Sequence, residues 1–103
     1  MMNKENIKKL ILEAVNKDPV MSEIRRVSLF GSYVHGKQTA QSDVDVLIEF
    51  SPAACIGYFR LAQIQRALER SLAGKRIDLL TPEAISKYIR PIILKEAETI
   101  YEK

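Results

Sequence analysis

The chain has 103 residues, 47% hydrophobic and 28% charged, a composition typical of one folded domain and not of a disordered chain. Its net charge of +3 is mildly basic and spread along the chain, which excludes a strongly basic nucleic-acid-binding arm. No apolar run approaches the ~20 residues of a membrane helix, and the single cysteine excludes an internal disulfide, so we expect one cytoplasmic domain over residues 1–103.

The first predicted elements are a helix, a short strand and a second, shorter helix. Apolar residues recur at helical spacing from Asn3 to Asn16, with an asparagine in the N-cap position. The mostly apolar segment Arg26–Phe30 predicts a buried strand that stops at Gly31–Ser32. A helix over Ser32–His35, closed by Gly36, is expected to follow.

The second half of the chain predicts two strands and three helices. Asp43–Phe50 alternates as a strand does, a long helix is expected from Ile56 to Ala73, and Arg76–Leu80 is a third short strand. A short helix to about Tyr88 and a last helix from Pro91 complete the chain. The inner side of that last helix is expected to carry Ile93, Ala97, Ile100 and Tyr101. The order α-β-α-β-α-β-α-α predicts the α/β (α+β) class, with a small mixed three-stranded sheet packed against helices.

Three aspartates form the strongest candidate site. Asp43 and Asp45 stand two residues apart in one predicted strand, so their side chains point the same way, with Cα atoms roughly 6.6 Å apart. Asp78 lies in the next predicted strand, where a charged side chain needs a partner or a wet face. If the two strands are neighbours, the three carboxylates can hold two metal ions ~3.5–4 Å apart. We therefore predict all three as catalytic and metal-binding residues, with two Mg²⁺ ions as cofactors.

The turn before these aspartates predicts a phosphate-binding loop. Glycine at position 31 allows a sharp turn and the close approach of a phosphate. Amide groups at the start of a helix attract anions, and the Ser32 hydroxyl can donate one more hydrogen bond. We therefore predict that Gly31 and Ser32 bind a nucleoside triphosphate. The ordinary alternatives are a simple turn at this position, exposed strand-end charges at Asp43 and Asp45, and a turn or cap role for Asp78.

Residues around the predicted site suggest additional roles. Tyr33 is a candidate for stacking on a base, and Lys37 and Arg76 are candidates for neutralising phosphate. Glu49 shares the strand face of the aspartates but lies at its far end, so we expect it outside the metal site.

Taken together, these residues carry a family resemblance. Gly31-Ser32, ten further residues and Asp43-Val44-Asp45 form the pattern GS-x10-DxD. This pattern resembles the signature of the DNA polymerase beta-like nucleotidyltransferase superfamily. The short length, the segment Arg76–Leu80 and the ending Ile89–Glu102 resemble its minimal nucleotidyltransferase (MNT) family.

The resemblance implies a nucleotidyltransferase fold, an enzyme and a reaction. The reaction is transfer of a nucleoside monophosphate, AMP when ATP is the substrate, to an acceptor hydroxyl. By this resemblance Gly31 and Ser32 bind the triphosphate, Asp43 and Asp45 the metals, and Asp78 the catalytic metal or the attacking group. The family model pairs an MNT antitoxin with a HEPN-domain toxin that it modifies with AMP on a tyrosine.

One residue departs from the family pattern. Many relatives have an arginine where this chain has His35, in a pattern like GSxxRG, and histidine is neutral or partly charged near pH 7. This departure favours weaker nucleotide binding or slower catalysis.

Four functions therefore stay open at this point. They are an AMP-transferring antitoxin, a non-catalytic antitoxin that neutralises its partner by complex formation, transfer to a small molecule, and, least favoured, nucleic-acid binding. We expect Ile56, Tyr58 and Phe59 at a partner interface. The residues leave the nucleotide preference and the oligomeric state open.

Overall fold

Four helices and four strands make up the computed structural model, which describes residues 3–39, 41–52 and 54–103. The helices are α1 (Lys4–Lys17), α2 (Ser32–His35), α3 (Tyr58–Ser71) and α4 (Arg90–Glu96). The strands are β1 (Ile24–Phe30), β2 (Val44–Phe50), β3 (Ile77–Leu80) and β4 (Glu98–Glu102). Single 3-10 turns lie at Pro19–Met21 and Pro82–Ala84. Within the described ranges no helix combines the length and the apolar character needed to cross a bilayer.

Helices α1 and α3 cover one face of the sheet. The Asn3 side chain caps α1 by accepting a 2.8 Å hydrogen bond from the Asn6 N–H, as its position predicts. The apolar stripe of each helix is buried: Ile7, Ile11 and Val15 in α1, and Ile64, Ala67 and Leu68 in α3. These side chains form one core with the sheet residues Val27, Leu29, Val44, Val46, Ile48, Ile77 and Leu79. Burial of this continuous apolar surface is the main stabilising contribution to the fold.

The strand order β3-β2-β1-β4 explains how the chain assembles a site at one end of the sheet. Strand β1 runs antiparallel to β2 and β4, whereas β2 and β3 are parallel and joined through α3. The end of β1 therefore lies beside the beginnings of β2 and β3, at one end of the sheet. Asp45 pairs with Phe30 on one side and with Asp78 on the other. The predicted mixed sheet is confirmed, and the strands that carry Asp45 and Asp78 are neighbours.

The predicted last helix is wrong in its second half. Helix α4 ends at Glu96, Ala97 is extended, and Glu98–Glu102 forms a fourth strand, so the sheet has four strands and not three. Strand β4 pairs with β1, for example Val27 with Tyr101, and Lys4 and Lys8 of α1 hold Glu98 at 3.0 and 3.2 Å. The outer edge of β1 needs a partner for its backbone groups, and Thr99-Ile100-Tyr101 favours a strand. Likewise, the helix expected up to Tyr88 is only the turn Pro82–Ala84.

The second face of the sheet is covered only in part. Leu47 alternates with Asp45 and Glu49 and so faces away from α1 and α3, yet it is buried. Ile85 is also buried outside the main core, and the turn Pro82–Ala84 contacts β2. Residues 81–97 connect one edge strand to the other and therefore cross the sheet on this side. This crossing leaves Asp45 and Asp78 at an open end of the face.

Candidate active site

The three predicted carboxylates meet at the edge where β1 ends and β2 and β3 begin. Asp43 directly precedes β2, Asp45 is the second residue of β2, and Asp78 is the second residue of β3. The parallel register places Asp45 and Asp78 directly opposite each other. Asp78 is exposed and the other two are partly exposed, so the cluster is accessible from solvent. The predicted proximity of the three aspartates is therefore present in the fold.

The crowding of the three carboxylates affects the pKa of Asp45. Burial raises the pKa of the Asp45 carboxyl above its ordinary value, and the negative charges of Asp78 and Asp43 raise it further. A hydrogen bond from the Ser32 backbone N–H acts in the opposite direction and lowers the same pKa. A cation bound among these carboxylates would relieve their repulsion.

The described residues fit a metal site of an open kind. In residues 3–39, 41–52 and 54–103, no three His, Cys, Asp or Glu side chains are arranged as a ready-made metal cage. Magnesium does not require one, because it is usually bound through one or two carboxylates together with water and phosphate oxygens. The facing pair Asp45 and Asp78 offers hard oxygen ligands of that kind. The metal role of the three aspartates stays a prediction.

Gly31 is required by its backbone and by its neighbour. Its φ of +76° lies in a region that L-residues with a side chain rarely adopt. A Cβ atom at this position would overlap Oδ2 of Asp45 and would lie 2.9 Å from Cγ of the same carboxyl group. The loop between β1 and α2 therefore packs its backbone directly against the carboxylate on β2.

Helix α2 starts at Ser32 as predicted, but its next residue points inward. Tyr33 is 1% exposed and belongs to the main core, so the expectation that it stacks on a base is wrong. The Lys75 Nζ lies 5.7 Å from the centre of the Tyr33 ring. Tyr33 thus anchors α2 to the core and holds Ser32 beside the carboxylates.

The histidine that departs from the family pattern is engaged with α4. His35 Nε2 lies 3.0 Å from Oε2 of Glu96, and about half of each side chain is exposed. The contact is an ion pair only when the histidine is protonated. It ties the end of α2 to the end of the crossing segment. A catalytic consequence of His35 stays a prediction.

Arg76, a predicted candidate for neutralising phosphate, lies beside the carboxylate cluster. Arg76 Nε lies 3.9 Å from Oδ1 of Asp43, because the pairing of Val44 with Ile77 extends backwards by one residue. The sequence carried the signal for this position, because Arg76 stands two residues before Asp78 as Asp43 stands two residues before Asp45, and residues two apart in a strand point to the same face.

Two other predictions concern residues away from the carboxylates. Glu49 pairs with Arg26 at 2.8 Å, which confirms that it stands outside the site. Tyr58 and Phe59, at the start of α3, are 80% and 85% exposed, as expected of interface residues, whereas Ile56 is partly buried. Their role in binding a partner stays a prediction.

Comparison with solved structures shows the fold. A structure described as a toxin–antitoxin with AMP-PNP superposes with a TM-score of 0.74 at 18% identity, covering 93% of this chain and 73% of that chain. A structure of a tri-AMPylated Shewanella oneidensis HEPN toxin in complex with MNT antitoxin superposes with a TM-score of 0.67 at 14% identity, covering 96% of this chain and 72% of the other. At these identities the likeness concerns the fold alone.

Comparison with known sequences gives the family. A provisionally named protein adenylyltransferase of Methanocaldococcus jannaschii is 35% identical over 93% of this chain and 96% of its own length. The protein adenylyltransferase MntA of Thermococcus cleftensis is 32% identical over 71% of each chain. The family described as polymerase beta, nucleotidyltransferase, matches residues 5–103. The resemblance carried by the glycine, serine and aspartate pattern is confirmed: the chain belongs to the polymerase beta nucleotidyltransferase family.

Proposed function

We propose that this protein is a metal-dependent protein adenylyltransferase that moves AMP from ATP to a tyrosine of a HEPN-domain toxin and thereby acts as its antitoxin. The observation that carries the proposal is the packing of the Gly31–Ser32 loop against Asp45, with Asp78 directly opposite on the neighbouring strand. The names of the relatives and the toxin–antitoxin structures support the choice of nucleotide and acceptor.

The reaction follows the usual balance of nucleotidyl transfer. The acceptor oxygen attacks the α-phosphorus of ATP, a new P–O bond forms, the bond to the β-phosphate bridging oxygen breaks, and pyrophosphate leaves. Catalysis of this kind depends on positioning and on electrostatic stabilisation more than on covalent chemistry. A short rigid sheet edge with carboxylates on adjacent strands supplies that positioning.

Each residue of the site has a part in this scheme. Gly31 lets the polyphosphate approach the backbone, and the Ser32 hydroxyl donates a hydrogen bond to it. Asp43, Asp45 and Asp78 would hold magnesium, which when bound neutralises charge on the polyphosphate and on the leaving pyrophosphate. Asp78, the most exposed of the three, lies where an acceptor hydroxyl can reach it and accepts its proton.

The small size of the domain is consistent with a protein acceptor. The turn Pro82–Ala84 contacts β2 and Ile85 is buried, whereas the carboxylates are open to solvent. We infer that the partner completes the acceptor side of the site.

The test is label transfer. The purified protein is incubated with Mg²⁺ and α-labelled ATP, with and without a HEPN-domain protein encoded in the same genome. We expect label on the HEPN protein, lost in the Asp43→Ala/Asp45→Ala variant and kept in Glu49→Gln, a matched control on the same strand face. Label that persists in the double variant would contradict the assignment of these carboxylates.

A second candidate is a non-catalytic antitoxin, favoured by the contact of His35 with Glu96 at the position where the family pattern GSxxRG implies an arginine. It predicts no label, and neutralisation of the toxin that survives in Asp43→Ala/Asp45→Ala.

A further inference from the structure

One arginine lies beside the carboxylates with its side chain almost entirely in solvent. Arg76 directly precedes β3, and 84% of its side chain is exposed. Its backbone carbonyl accepts a 3.0 Å hydrogen bond from the Val44 N–H at the start of β2. The β2–β3 ladder therefore fixes the position of the Arg76 backbone while leaving its guanidinium group available.

Arg76 is the positively charged side chain that lies beside the carboxylates at this end of the sheet. In the described part of the chain it is the one basic side chain whose nitrogen lies within 4.0 Å of the carboxylates of Asp43, Asp45 or Asp78. Asp43 and Arg76 directly precede β2 and β3, and each stands two residues before the aspartate of its strand, so the four side chains share one face. A phosphate bound next to these aspartates would therefore lie close to the Arg76 guanidinium group.

The contact with Asp43 does not by itself account for the arginine. At 3.9 Å between an exposed arginine and a partly exposed aspartate it is a loose pair, and such surface pairs contribute little to stability. The planar guanidinium fork, in contrast, matches two phosphate oxygens at once.

Two of the other basic groups near this end of the sheet lie against protein groups. His35 is paired with Glu96, and Lys75 is held near the ring of Tyr33.

We propose that Arg76 is a substrate-binding residue that holds the terminal phosphates of the nucleoside triphosphate. The inference rests on the proposed function, because it assumes that the carboxylate edge takes a nucleotide. It goes further by assigning a specific polyphosphate-binding residue directly before β3, outside the Gly31–Ser32 loop. Nucleotide affinity should then depend on Arg76 more strongly as the number of phosphates increases.

The experiment is equilibrium binding of ATP, ADP and AMP in the presence of Mg²⁺, measured by calorimetry. The proteins compared are the wild type, Arg76→Ala, Arg76→Lys and Arg70→Ala, the last being an exposed arginine of α3 as matched control. We expect the Kd for ATP to rise about ten-fold or more in Arg76→Ala, as for loss of a charge-assisted hydrogen bond, with a smaller rise in Arg76→Lys. AMP binding and the Arg70→Ala variant should be unchanged.

Other results of these binding measurements would contradict either this inference or the proposed function. Wild-type affinity for ATP in Arg76→Ala overturns this inference and leaves the proposed function standing. A wild-type protein that binds no ATP overturns the proposed function and this inference with it. Unchanged ATP affinity together with a raised KM for the HEPN acceptor would show that Arg76 contacts the acceptor and not the phosphates. Matching thermal unfolding of Arg76→Ala and wild type verifies that the variant is folded.

Discussion

The carboxylates at the two ends of strand β2 differ in how closely they are paired with arginine. At the far end Glu49 is held by Arg26 through contacts of 2.8 and 3.3 Å, and both side chains are partly buried. At the near end the one ion pair of Asp43 among the described residues is the loose contact of 3.9 Å with Arg76, whose side chain is 84% exposed. One end neutralises its charge within the fold, and the other leaves charge available for a ligand. The difference separates a stabilising ion pair from a candidate binding site along one strand.

The largest expected effect is on catalysis at the near end. Asp78→Asn should reduce kcat by about 10²–10⁴-fold, because the amide neither accepts the hydroxyl proton nor carries the negative charge of the carboxylate. Complex formation with the HEPN partner should be retained. Initial rates of AMP transfer check this, with Glu49→Gln at the far end as the control expected to keep the wild-type rate. Equal losses in both variants would remove the distinction between the two ends.

A second substitution probes the contact between the loop and β2. Gly31→Ala should destabilise the protein by about 1–3 kcal/mol from backbone strain alone, and should also abolish most transfer activity because the new Cβ displaces the Asp45 carboxylate. Gly74→Ala is the matched control, since Gly74 has a φ of +84° but no atom within 4 Å of an added Cβ. Urea unfolding and transfer rates are measured on both. An active Gly31→Ala variant would contradict the proposed role of this contact.

The two arginines should differ in their effect on stability. Arg26→Ala is expected to lower the free energy of unfolding by about 1 kcal/mol, because it removes a close, partly buried pair. Arg76→Ala should change it by less than about 0.5 kcal/mol, as for an exposed surface residue. Urea unfolding at pH 7 measures both. A larger loss in Arg76→Ala would mean that the near-end pair is also structural.

The smallest effect concerns the pH dependence of stability. Because the pKa of Asp45 is raised in the folded protein, the folded state binds more protons than the unfolded chain between pH 3.8 and that raised pKa. Stability therefore falls as the pH rises through this window, and ionised Asp45 destabilises the fold above it. Asp45→Asn should raise Tm at pH 7 by on the order of a few degrees, and the gain should shrink as the pH falls towards 3.8.

Thermal unfolding of Asp45→Asn and wild type across that pH range tests the sign. The far-end variant Glu49→Gln should instead lower Tm at pH 7, because it loses its ion pair with Arg26. A stabilised Glu49→Gln or a destabilised Asp45→Asn would reverse the comparison.

Local pattern alone determined much of this protein. Helical periodicity predicted α1 and α3, strict alternation predicted β2 and its core face, and a capping asparagine placed the start of α1. The spacing of Gly31, Ser32, Asp43 and Asp45 identified the candidate site and the family. These features are readable because side-chain direction in a helix or strand repeats over a few neighbouring residues.

Tertiary structure decided what depends on partners distant in sequence. Residues 98–102 became a strand because the outer edge of β1, about 70 positions earlier, needed backbone partners, which periodicity around Ile100 cannot reveal. The same holds for Tyr33, buried by the core behind it, and for Arg76, placed beside Asp43 by the register of β2 and β3. The facing of Asp45 and Asp78 likewise follows from that register. Strand pairing is a long-range interaction, so only the folded sheet determines which charges meet.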